Sequence, residues 1–134
     1  RLNDAKTNGR IARAQGQIHQ LQNAMVSLAG DTAEWPGHLP VGVIDAGASN
    51  NEVWDFTTQA AGLLDTDGLF PNWAGPYIPS IPTDPWGNNY FLDTDYNIAT
   101  SGPSEWVVVI GSFGPNGNGQ NVYDADNIIQ IITR

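Results

Sequence analysis

Apolar residues recur at Ile11, Ala14, Ile18, Leu21, Met25 and Leu28, at alternating steps of three and four. Such steps align side chains on one narrow stripe of a helix. The pattern predicts a helix from about Leu2 to Ala29, with Gly30 as its C-terminal stop. A stripe this narrow fits either a coiled-coil seam or packing on the chain's own sheet. It lasts only about three heptads, so packing on the sheet is the expectation for most of its length. Before Ile11 nearly every residue is polar and Gly9 interrupts the run, so that stretch is expected to leave the globular body or fray.

The pattern changes after the helix. Asp31 to Thr83 is irregular and rich in Gly and Pro. Within it Ser49-x-x-Glu52 has the form of a capping box. It predicts a short helix from Asn50 to about Ala61, with Val53, Trp54, Phe56 and Ala60 as apolar contacts and Gly62 as the stop. The aromatics Trp35, Trp54, Phe70, Trp73 and Tyr77 are expected to pin this connection to the core, since a connection of such length in a compact domain is usually functional or an interaction surface. Beyond it lie short β-branched and aromatic runs. Tyr90–Leu92 reads as a strand, Asp93-Thr94-Asp95 as a turn, Tyr96–Ile98 as a weak strand, Trp106–Ser112 as the strongest strand and Ile128–Thr133 as the last. Only loops separate them, so an antiparallel meander is the economical topology.

The expected fold class is therefore α+β: a long N-terminal helix packed on a small three- to four-stranded antiparallel sheet, with a long irregular loop between. At 134 residues a single domain is expected. Residues 1–30 form its helix, 31–83 the connection with a short helix at about 50–61, and 84–134 the sheet with its main loop.

Charge is distributed unevenly. The five basic residues are Arg1, Lys6, Arg10, Arg13 and Arg134, so no Lys or Arg occurs from Ala14 to Thr133. Thirteen of the fourteen acids fall in that span, and the net charge is −9. Such a surface repels phosphates, so no nucleic-acid partner is expected. Repulsion among unpaired carboxylates destabilises a compact chain, and a divalent cation would relieve it. The sequence has no cysteine, hence no disulfide. No run of eighteen apolar residues occurs, and Arg1-Leu2-Asn3-Asp4 reads as the interior of a longer chain from which an N-terminal segment was removed.

The segment from Gly111 to Asp126 holds the candidate chemistry. Asn116, Asn118, Gln120 and Asn121 offer amide oxygens, and Asp124 and Asp126 offer carboxylates. Gly111, Gly114, Gly117 and Gly119 permit the turns that point carbonyls inward. Calcium takes six to eight oxygens in a forgiving geometry, which suits this composition. The EF-hand pattern fails: counted from Asn116, position six is Asn121 and position twelve is Asn127. The same residues also suit an ordinary Asn/Gly hairpin loop. Catalysis is not expected. The histidines, His19 and His38, lie in no nucleophile or metal motif, and there is no phosphate-binding loop or dinucleotide fingerprint.

Several motifs together resemble a known family. Asp31-Thr32-Ala33-Glu34-Trp35-Pro36 resembles the stretch that follows the spine helix of pilins. Gly75-Pro76-Tyr77-Ile78 with Pro82-Thr83-Asp84-Pro85-Trp86-Gly87-Asn88-Asn89-Tyr90 resembles a signature of the major pseudopilins of type II secretion. Ser112-Phe113-Gly114-Pro115-Asn116-Gly117 and Asp124-Ala125-Asp126-Asn127-Ile128 resemble that family's loop and ending. No counterpart to Pro36–Asn72 is recognised. The resemblance implies a pilin-like fold and a non-catalytic structural subunit of a pseudopilus or related filament. Its partners would be identical or related pilin subunits. It would reach the membrane through an apolar N-terminal helix absent from this chain, then sit in a periplasmic or cell-surface filament. The soluble fragment is expected to be monomeric. The resemblance also implies a calcium site with Asn116, Asp124 and Asp126 as ligands and main-chain oxygens near Phe113 and Val122. Asn116 stands where the family often has Asp, which removes one charge. The competing expectation is a calcium-dependent adhesive or carbohydrate-binding module with Trp35, Trp54 and Trp73 as its recognition face.

Overall fold

The computed structural model describes residues 2–45, 51–120 and 122–134. Helix α1 spans Leu2–Thr32. Strands β1 (Glu34–Trp35) and β2 (Leu39–Pro40) form a small antiparallel hairpin around the turn Pro36–His38. Strands β3 (Phe91–Asn97), β4 (Trp106–Ser112) and β5 (Ile128–Thr133) form an antiparallel sheet in the order β3-β4-β5. The meander and the α+β class follow the sequence pattern.

The predicted stripe is the buried face of α1. Ala14, Ile18, Leu21, Met25 and Leu28 are buried in one cluster with Tyr90, Leu92, Val108 and Ile110 of the sheet region. Ile11 is only partly buried, and Asp4–Arg10 are exposed, so α1 projects beyond the body as a helix. The opposite sheet face buries Phe91, Tyr96, Val107 and Val109, with Trp54, Phe113, Ile129 and Ile131 packed against them. Alternation along β4 therefore divides its residues between two apolar clusters.

Three local expectations are corrected. The helix does not stop at Gly30. It continues to Thr32, whose Oγ1 donates to the Leu28 carbonyl (2.8 Å), and Ala33 then turns left-handed at φ 61° with its N–H on the Ala29 carbonyl (2.8 Å). The short helix at 50–61 is not formed across its described part. Val53 instead exchanges two backbone hydrogen bonds with Leu92 (2.9 and 2.8 Å), pairing with the free edge of β3, and turns follow. Ser49 and Asn50, the start of the expected cap, lie outside the described residues. Asp93–Asp95 do not end a strand; they lie within β3, where the register against β4 shifts. The stretch before Ile11 takes the first of its two expected courses: it leaves the body, and it does so as helix from Leu2.

The aromatic residues of the long connection do pin it. Trp35, Phe56 and Phe70 are buried in the helix-side cluster, and Trp73 and Tyr77 pack against it. The Trp73 indole donates to the Gly62 carbonyl (2.7 Å), and the Tyr77 hydroxyl donates to Asp31 (2.7 Å). Residues expected to form an exposed recognition face are thus occupied. Trp35 is 8% exposed, and Trp54 lies against the Phe91 and Phe113 rings.

Candidate metal centre

β4 delivers the chain into the candidate loop at Ser112. Its hydroxyl donates to Asp84 Oδ2 (2.6 Å) and accepts the Gly114 N–H (3.0 Å). Asp84 Oδ1 accepts the N–H groups of Trp86 (3.0 Å) and Asn88 (2.8 Å). The Gly87 N–H reaches the Asp84 carbonyl (3.0 Å), closing a turn over Asp84-Pro85-Trp86-Gly87. A buried carboxylate with three donors thus ties this turn to the root of the loop. Phe113 stacks on Phe91 with ring centroids 4.7 Å apart, which fixes where the loop leaves the sheet.

The two ends of the loop meet at Gly114. Its φ is 74°, and a Cβ there would fall 2.0 Å from the Asp126 carbonyl oxygen, so only glycine fits. Asp126 Oδ2 accepts the Asn116 N–H (2.8 Å), and Asp124 Oδ2 accepts the side-chain amides of Asn116 (2.9 Å) and Asn118 (3.0 Å). Asp124 Oδ1 accepts the Asp126 N–H (3.1 Å). The hydrogen bonds from Asn118 and Asn116 hold the Asp124 carboxyl below its ordinary range. Asn116, Asp124 and Asp126 are therefore brought together, with Asn118 beside them. The Val122 carbonyl accepts the Asn127 side-chain amide (2.6 Å), so it is already engaged. Asn121 lies outside the described residues. The side-chain amide nitrogens of Asn116 and Asn118 face Asp124, and Asn116 Oδ1 accepts the Asn118 N–H (2.9 Å), so the side-chain oxygens gathered here are those of the two carboxylates. A hard cation takes an all-oxygen set, which would require both amides to turn over.

Two charged groupings were not legible from motif spacing. An oxygen from each of Glu52, Asp93 and Asp95 lies within 4.8 Å of the others, close enough to hold a metal ion. Burial, reinforced by Asp95 and Glu52, pushes the Asp93 carboxyl up to about 7. Burial also raises Glu52, and burial with the same acids pushes the Tyr123 phenol up to about 12. The signal available in sequence was Asp93-x-Asp95, but Glu52 reaches it only because Val53 pairs with β3. His38, which lies in no sequence motif, is half-buried between Glu34 (Nδ1–Oε1 2.8 Å) and Asp67 (Nε2–Oδ2 2.7 Å), with its ring stacked on Phe70. Burial alone would lower its pKa; the hydrogen bonds to Asp67 and Glu34 outweigh it and raise the value.

A long helix lying with its C-terminal half on an antiparallel meander, its N-terminal half free, is the architecture of pilin-class subunits. The crystal structure of the major pseudopilin from the type 2 secretion system of enterohaemorrhagic Escherichia coli has this fold. It matches with a TM-score of 0.57 and 19% identity over 96% of this chain and 91% of that one. No curated protein matches. The family model of type II secretion system protein G matches residues 57–130, more than half of the chain, and the chain belongs to that family of structural pilin subunits. The matched span contains the whole Ser112–Asp126 loop.

Proposed function

We infer that this chain is a non-catalytic subunit of a type II secretion pseudopilus, stabilised by calcium in the Ser112–Asp126 loop. Family membership carries the filament reading, and the free N-terminal half of α1 agrees with it, since such a projecting helix can pack against neighbours. In this reading an apolar helix preceding Arg1 reaches the membrane, and the acidic body lies outside the cytoplasm.

The calcium part rests on the convergence of Asn116, Asp124 and Asp126. Asp124 and Asp126 would supply charge as well as coordination, Asn116 an amide oxygen, and the main chain near Phe113 and Val122 further oxygens. A bound divalent cation would offset the charges of Asp124 and Asp126 and fix the approach to β5. The packing of Trp35, Trp54 and Trp73 against the two apolar clusters counts against an adhesive or carbohydrate-binding role built on those rings.

Complementation tests the reading. The full-length gene should restore substrate secretion in cells that carry the type II machinery but lack their major pseudopilin. Asp124→Ala with Asp126→Ala should reduce that restoration unless excess calcium is supplied. A full-length protein that is made and membrane-inserted, yet restores neither secretion nor filaments with a matched set of machinery, would contradict the assignment.

A further inference from the structure

The free half of α1 differs in charge from the rest of the molecule. Lys6, Arg10 and Arg13 are four and three residues apart, which sets them on one stripe of the helix. All three are exposed. Among the described residues the ion pairs are those of His38 with Glu34 and Asp67, so the stripe has no carboxylate partner among them. The body has the opposite sign. Asp31, Asp65 and Glu105 are exposed on it, and no Lys or Arg occurs between Ala14 and Thr133.

We propose that the Lys6–Arg10–Arg13 stripe is an interaction surface for the acidic body of a second copy of this chain. The inference rests on the filament reading above and names the residues of one of its contacts. Charge complementarity supplies the occupant: the stripe has no carboxylate partner among the described residues, and every other copy presents an acidic body with no Lys or Arg from Ala14 to Thr133. Bodies of like sign packed side by side repel one another, and a basic stem laid between them supplies the missing counter-charge. Stem and body are different surfaces, so the contact is heterologous. Each copy that docks its stem leaves its own body open to the next, the head-to-tail arrangement that an open helical filament requires. Exposed ion pairs are individually weak and screened by salt. The contact therefore acts when other subunit packing holds the copies together, and leaves the isolated chain monomeric.

Lys6 is the only lysine of these 134 residues, so a link from the peptide that carries it is identifiable by mass spectrometry. Filaments of the full-length protein are sheared from cells carrying the assembly machinery and treated with a carbodiimide, which joins an amine directly to a carboxylate. The expected product is a covalent dimer and ladder in which the Lys6 peptide is linked to an Asp or Glu peptide of the body. Lys6→Arg keeps the charge, should form filaments normally, and should lose that link. Lys6→Glu with Arg10→Glu and Arg13→Glu should lower filament yield by about tenfold or more while leaving the melting temperature of the domain unchanged, because the stem is exposed. Wild-type filaments without a Lys6 link, or charge-reversed protein that assembles at the wild-type level, would overturn the proposal. Loss of assembly without any Lys6 link, together with stem-dependent binding to phosphatidylglycerol vesicles, would assign the stripe to lipid and overturn it as well. Absence of wild-type filaments would instead remove the filament reading, and this inference with it.

Discussion

Replacing Asp84 by alanine should damage the fold more than any single change inside the candidate loop. Asp84 is 3% exposed and accepts three hydrogen bonds, from the Trp86 and Asn88 N–H groups and the Ser112 hydroxyl. A hydrogen bond to a charged group contributes about 1.5–3 kcal/mol net. The three do not add, because the turn relaxes and water reaches part of the vacated site. A loss of about 3–5 kcal/mol is expected, the range seen when one side of a buried charged network is removed. For a domain of this size that corresponds to a fall of about 10–20 °C in melting temperature. The loss should spread to the loop, since the Ser112 hydroxyl that Asp84 orients also holds the Gly114 N–H. Asp84→Asn should cost only about 1–2 kcal/mol, because the amide oxygen still accepts both N–H groups and the amide nitrogen can donate to Ser112. Urea denaturation followed by circular dichroism gives both values, and limited proteolysis reports the loop. A loss below about 1 kcal/mol for alanine, or an asparagine variant as unstable as alanine, would refute the view that this hydrogen-bond set supports the site.

Calcium added to chelator-treated protein should raise the melting temperature in step with the logarithm of its concentration. Asp124→Ala and Asp126→Ala should weaken the shift more than Asn118→Ala, as read by titration calorimetry. Leu21→Ala, fully buried in the helix–sheet cluster, should cost roughly 2–5 kcal/mol in chemical denaturation, and Ile11→Ala much less. Equal losses at both positions would mean that the stem is docked. Above about pH 4, Asp93 and His38 should each make stability fall as pH rises. Asp93, protonated in the folded state up to about 7, contributes that fall between about pH 4 and 7. His38, whose pKa is raised, contributes stability fully present below about 6.5 and lost as pH rises through its folded value. Asp93→Asn should flatten the lower part of a melting-temperature profile and His38→Gln the upper part.

The helix and strands were legible because their signals are periodic. The three-and-four spacing from Ala14 to Leu28 and the β-branched run at Val107–Ile110 each mark a face that burial enforces. The connection was not legible in the same way. Ser49-x-x-Glu52 carries a local helix-start signal, but the Val53 backbone gains two hydrogen bonds from the edge of β3, a partner thirty-nine residues away. The Asp93–Asp95 turn signal survives only as a register shift within β3: Asp93 and Tyr96 pair with Val109 and Val107 of β4 on either side of it, and the strand continues. The loop residues Asn116, Asp124 and Asp126 could be named from composition and resemblance, and they do converge. Their support could not be named. Asp84 reads as a turn residue in sequence, and only the fold shows its second oxygen reaching Ser112. His38 gives no motif at all, since Glu34 and Asp67 meet it only after the β1–β2 hairpin folds back against the connection.

Electron microscopy of cells that carry a type II assembly machinery and express the full-length protein tests the central claim most directly. The account predicts thin filaments labelled by antibody to this chain, abundant in calcium and reduced by the Asp124→Ala, Asp126→Ala double variant. Stable, membrane-inserted protein that forms no labelled filament in the presence of that machinery and calcium would contradict it.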